Sequence, residues 1–116
     1  LADVETTADS LKAALTKQPV SVAIEADTMT FQMYKEGVIN DDSCGTNLDH
    51  GVLAVGYSDE AEIPYYIVRN SWGPSWGADG YVKIGIKDGD GVCGIQKSAS
   101  YPIAQELAYK QIVNIC

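Results

Sequence analysis

Residues 51–57, Gly-Val-Leu-Ala-Val-Gly-Tyr, form a nearly continuous apolar run in a chain that is otherwise rich in acidic and turn-forming residues. A run this short, with a β-branched residue at every third position and glycine at its margins, predicts a strand covered on both faces. Around it the pattern repeats in shorter form. Val20, Val22 and Ile24 alternate with Ser21, Ala23 and Glu25, the period of a half-buried strand. Tyr65 to Arg69 and Gly80 to Ile86 give two more runs, the latter with Val82, Ile84 and Ile86 on one face. Repeated short strands with glycine-rich corners predict a mainly β molecule, an antiparallel sheet curling toward a barrel. A few short helices accompany it. Thr6 to Ser10 offer several N-cap oxygens ahead of Leu11, Ala14 and Leu15 at helical spacing, and Pro19 stops that helix. Met29 to Lys35 has room for one further helical turn, with Phe31 and Tyr34 three apart before Gly37.

With 116 residues the chain fits one domain. Sixteen acidic against eight basic residues give a formal charge of -8, which argues against a nucleic-acid or anionic-membrane partner because phosphate binding needs clustered Lys and Arg. No apolar stretch is long enough to cross a bilayer, and the first ten residues lack the basic and apolar regions of a signal peptide. A soluble polypeptide is expected, with any targeting segment removed or never included. Three cysteines and one histidine do not make a tetrahedral zinc site, which wants four ligands at close spacings, so neither metal nor cofactor is expected. A disulfide is the better reading. Cys44 and Cys93 both sit in turn-like surroundings, and a staple across a loop of about fifty residues would add roughly 4 kcal/mol in an oxidising compartment. Cys116 is left over, to pair with a second chain, stay free or belong to a continuation.

The chemistry centres on Asp49-His50-Gly51 and on Asn70-Ser71-Trp72-Gly73 about twenty residues later. His50 is the only histidine, so proton transfer near neutral pH by an unperturbed side chain falls to it. Histidine at the start of one strand and asparagine at the end of the next antiparallel strand can lie side by side. The Asn70 amide oxygen would then accept one ring proton and leave the other nitrogen facing a thiol, to form a thiolate and imidazolium pair. An asparagine suits this better than an aspartate, since the imidazolium is already stabilised by the thiolate and the orienting group need add no charge. Trp72 is expected to pack over the His–Asn hydrogen bond, where a lower local dielectric strengthens it.

Gln18-Pro19-Val20-Ser21-Val22, Cys44-Gly45, Leu48-Asp49-His50-Gly51-Val52, Val55-Gly56-Tyr57, Asn70-Ser71-Trp72-Gly73, Trp76-Gly77, Gly80-Tyr81, Val92-Cys93-Gly94 and Tyr101-Pro102 together resemble the second, barrel-side half of a papain-like cysteine protease, the right-hand domain of that α+β fold. The match spans roughly residues 10–102, and several ordered motifs make it specific. The resemblance implies that His50 is the catalytic base and acid, that Asn70 orients it and that Trp72 shields the pair. It also implies the Cys44–Cys93 disulfide, and a pocket lined by Ala23, Gly51 and Ser98 for the second substrate residue before the cut. All three are small, which favours a bulky apolar side chain there. The Asp49 carbonyl would receive a substrate backbone hydrogen bond, while its carboxylate reads as surface charge.

One departure is large. The family's nucleophilic cysteine precedes its histidine by roughly 130 to 150 residues, whereas only 49 residues precede His50. Cys44 and Cys93 are taken by the expected staple, and the oxyanion-hole glutamine is also missing, since Gln18 and Gln32 match other positions. The expectation is therefore residues 1–103 as the His- and Asn-bearing domain of a peptidase, inert without a complementary cysteine-bearing half, with residues 104–116 an extension of unknown role. Peptide or protein substrates and protein inhibitors of cysteine proteases are the implied partners, and a lysosomal, vacuolar or secreted setting is implied with them. The alternative is a non-enzymatic domain that uses the same surface to hold a peptide, an inhibitor or a partner protein.

Overall fold

A computed structural model describes residues 1–103; the helix-or-tail expectation for residues 104–113, the role of the 104–116 extension and the fate of Cys116 lie outside them. The elements are β1 (Ala2–Val4), α1 (Ala8–Leu15), β2 (Val20–Ile24), α2 (Met29–Gln32), β3 (Val38–Ile39), β4 (His50–Ser58), β5 (Tyr65–Arg69), β6 (Tyr81–Gly85) and β7 (Ala99–Tyr101), with 3-10 turns at Asp42–Cys44 and Val92–Gly94. Helix α1 starts where its cap chemistry says it should: the Thr7 hydroxyl accepts the Ser10 N–H at 3.0 Å, satisfying a donor that the first turn cannot pair. Its buried stripe is Ala8, Leu11 and Leu15.

The strands form one sheet in the order β1-β7-β2-β4-β5-β6-β3. Every pairing is antiparallel except β3 with β6, which is parallel. The molecule is thus mainly β, as the sequence predicts, with a mixed sheet that stays open, β1 and β3 being its edges. Alternation decides the core. Val20, Val22 and Ile24 from β2, Tyr66 and Val68 from β5, and Val82 and Ile84 from β6 all point to one face, where Leu11, Phe31, Ile95 and Ala99 close over them. Each such side chain contributes about 1.5–3 kcal/mol of burial.

Strand β4 differs from its expectation. Among the described residues only Ala54 of the apolar run is fully buried, and Val55 is exposed. The reason is a bulge: Ala54 pairs with Val68 but Gly56 pairs with Ile67, leaving Val55 as the extra residue. The slip brings Tyr57 opposite the core residue Tyr66, so Val52, Ala54 and Tyr57 serve the core. Gly51 and Leu53 face the other way, where only one side of the sheet is covered.

The loop staple is formed. Cys44 and Cys93 are bonded, with Cα atoms 4.9 Å apart and 49 residues between them in sequence. Both are buried, and each ends up in a 3-10 turn, tying the segment before β4 to the segment before β7.

Candidate active site

Strand register brings the two motifs together. Leu53 on β4 lies opposite Arg69 on β5, so the chain leaving β5 runs back along the start of β4, where His50 sits opposite Ile24 of β2. His50 Nε2 lies 2.8 Å from Asn70 Oδ1. An amide oxygen only accepts, so the ring proton belongs on Nε2 and the lone pair on Nδ1. The same Oδ1 also accepts the Ser71 N–H at 2.7 Å, which fixes which way the amide is turned. Asn70 Nδ2 is buried and has no hydrogen-bond partner among the described residues.

The backbone of Asn70 is held by its N–H to Gly80 O, 3.0 Å, and Gly80 N donates to Trp76 O at 2.9 Å. This tight return needs glycine. Gly77 and Gly80 have φ of 63° and 90°, and a Cβ on Gly77 would stand 2.7 Å from the Tyr81 carbonyl oxygen.

Trp72 stacks on the His50 ring, with centroids 5.1 Å apart and planes 28° from parallel. Its exposure is 40 %, so within this chain it covers one face of the ring and leaves part of itself open to water. An aromatic cluster positions it. Phe31, fully buried, meets Trp72 edge-on at 5.5 Å and lies tilted by 31° to Trp76 at 4.8 Å, and Trp76 Nε1 donates to Gln32 O at 3.1 Å. Aromatic pairs add about 0.5–1.5 kcal/mol beyond burial. The part of Phe31 was missed from the sequence, where the residue marks only a helical turn; no local pattern links it to tryptophans some forty residues on.

Ala23, Gly51 and Ser98 lie together: Ala23 is opposite Gly51 across β2 and β4, and its N–H donates to Ser98 O at 3.1 Å. Asp49 is exposed, as expected of surface charge, but its carboxylate has a further part: Oδ1 accepts the Ala26 N–H at 2.8 Å while its own N–H donates to Ile24 O at 2.9 Å, lacing the end of β2 to the start of β4. Beside the His50–Asn70 pair, the outer face of the sheet carries an open groove of about 870 Å³ lined by Ser21, Gly51, Leu53, Arg69, Asn70 and Tyr81 among others. Of Ala23, Gly51 and Ser98, only Gly51 lines it. Among the described residues no group of three His, Cys, Asp or Glu side chains is placed to hold a metal, and no helix is long and apolar enough to cross a membrane.

Comparison with known proteins places this geometry. The model of the papain family of cysteine proteases matches residues 2–103. Among curated relatives, the probable cysteine protease RD21C of Arabidopsis thaliana is 56% identical over 95 residues, which is 80% of this chain and 21% of that protein. The KDEL-tailed cysteine endopeptidase CEP2 of the same plant is 55% identical over 97 residues, 82% of this chain and 27% of that protein. Among solved structures, the bromelain protease of Ananas comosus in complex with the E64 inhibitor superposes with a TM-score of 0.82 at 41% identity, covering 90% of this chain and 49% of that one. The Amb a 11 cysteine protease, a ragweed pollen allergen, matches in its proform with a TM-score of 0.84 at 37% identity, over 90% of this chain and 33% of that one. The chain thus spans about a fifth to a quarter of the curated relatives' length and up to half of the solved chains.

Proposed function

The chain belongs to the papain family of cysteine proteases, and from that premise we propose that it supplies the base and its orienting amide to a peptidase whose nucleophilic cysteine is carried by another stretch of polypeptide. The observation that carries the proposal is the 2.8 Å contact between His50 Nε2 and Asn70 Oδ1. With the Nε2 proton engaged, Nδ1 takes the proton of the incoming thiol. The thiolate attacks the scissile carbonyl carbon, and the imidazolium returns its proton to the departing amine nitrogen as the C–N bond breaks. Nδ1 then takes a proton from water, hydroxide displaces the thiolate from the acyl-thioenzyme, and the acid product leaves.

The neutral amide of Asn70 holds the ring without adding charge to the ion pair, and Trp72 lowers the dielectric around its hydrogen bond. Residues 1–103 act as this domain. Ala23, Gly51 and Ser98 form a small-walled pocket for a bulky apolar side chain two residues before the cut, and the Asp49 carbonyl receives the substrate backbone. The cysteine-bearing half packs on the outer sheet face and covers the exposed part of Trp72. Active-site-directed inhibitors and protein inhibitors of cysteine proteases are the other expected partners. The disulfide suits an oxidising, vacuolar, lysosomal or secreted setting.

Mixing tests this. The chain alone leaves a peptide substrate uncut, because an oriented imidazole provides neither nucleophile nor oxyanion donors. Adding the complementary cysteine-bearing half restores cleavage, and His50→Ala in the mixture lowers kcat by about 10³-fold or more. Cleavage that survives His50→Ala would contradict the assignment.

A further inference from the structure

Residues 45–49 carry the chain from the buried Cys44 to His50, and the last residue of β2 with its successors grips them at several points. Ile24 is the cross-strand partner of His50 and accepts the Asp49 N–H. The next residue, Glu25, reaches back over the loop: its Oε1 accepts the Asn47 N–H at 2.7 Å. Gly45, at φ 77°, lies beneath it in a conformation that favours glycine, and a Cβ there would push the Glu25 carboxylate aside. Ala26 N–H then closes the lacing on Asp49 Oδ1.

Three carboxylates therefore face one another here. Asp27 stands beside Glu25, whose hydrogen bond, together with desolvation and the Glu25 charge, pushes the Asp27 carboxyl above its ordinary range, while the Asp27 backbone and Asp49 pull the other way. On the far side of the loop Lys97 Nζ donates to Thr46 O at 3.0 Å. A charge-assisted hydrogen bond to a backbone group is stronger than a neutral one, so Glu25 and Lys97 are both firm side-chain holds on the loop.

We propose that Glu25 is a positioning residue for His50: its carboxylate sets residues 45–49, and through them the depth at which the imidazole meets Asn70. The proposal rests on His50 being the base described above.

The test is ¹⁵N NMR on the full chain, reading the Asn47 amide and the His50 ring in the native protein, Glu25→Gln and Glu25→Ala. In the native protein the Asn47 amide is shifted downfield. Glu25→Gln keeps an acceptor oxygen for Asn47, so the His50 ring signals stay. Glu25→Ala loses the downfield shift and displaces the His50 ring signals. Identical ring signals in Glu25→Ala and the native protein, or an Asn47 amide without the downfield shift in the native one, overturn the proposal. Should Glu25→Ala fail to fold, Asn47→Pro, which removes the N–H that Glu25 accepts, takes its place: displaced ring signals support the proposal, and native ring signals overturn it. None of these readouts needs turnover, so they stand apart from the mixing assay for peptidase activity.

Discussion

His50 is gripped from two sides by different chemistry. Downstream lie a neutral amide and an aromatic cluster, Asn70, Trp72, Trp76 and Phe31. Upstream lie carboxylates, Glu25 and Asp49, which bind backbone N–H groups of the strands and loop rather than the ring. The difference shows a division of labour set by electrostatics. A carboxylate bonded to the imidazole would favour its charged form whether or not a thiolate were present. Used one peptide away, on the backbone, the same charge fixes position and leaves the ring's proton to a neutral partner.

The largest effects should come from removing the framework common to both sides. Replacing Cys44 and Cys93 together by serine frees the loop from Gly45 to Val92, and should cost about 4 kcal/mol in denaturant unfolding. A cost near zero would mean that the laced strands hold the upstream side unaided. Phe31→Ala removes a fully buried ring under both tryptophans and should cost about 3 kcal/mol, with the His50 ring more solvent-accessible in NMR. If stability falls but the His50 environment is unchanged, the aromatic cluster is ordinary core and the downstream side reduces to Asn70.

A sharper cut comes from the amide itself. Asn70→Ala should lower kcat of the assembled peptidase by about 100-fold, whereas Asn70→Asp keeps an acceptor but adds the charge that the downstream side avoids. The aspartate variant should raise the imidazole pKa and move the pH–activity profile upward. Equal profiles for asparagine and aspartate would erase the distinction between the two sides.

The smallest effect belongs to the exposed Asp27. Its carboxyl is raised in the folded chain, so its contribution is present below the ordinary value of 3.8 and is lost as pH rises through the raised one. Asp27→Asn should flatten that acidic slope in thermal unfolding, and added salt should do the same by screening an exposed pair.

Much of the fold is legible in the sequence because its period changes cleanly. Leu11 and Leu15 keep helical spacing up to Pro19, and Val20, Val22 and Ile24 then alternate. Strands β1, β3 and β7 are two or three residues long, too short to show any period, and were not anticipated. The bulge at Val55 is hidden for a different reason: an apolar run reads alike whether one face or both are covered, and only pairing with β5 reveals the slip. Of the site, His50, Asn70 and Trp72 stand out by residue type and motif. Glu25 reads as the polar member of an alternating strand, and Asp49 as surface charge; that both return to the backbone of the same loop depends on β2 and β4 being neighbours.

The claim beneath the whole account is that Asn70 holds the His50 proton on Nε2 and leaves Nδ1 free for a thiol. The ¹⁵N chemical shifts of the His50 ring, measured above its pKa, report this directly. The account predicts a protonated Nε2 and an unprotonated Nδ1, with Asn70→Ala scrambling the two; a ring that carries its proton on Nδ1 in the native chain would contradict it.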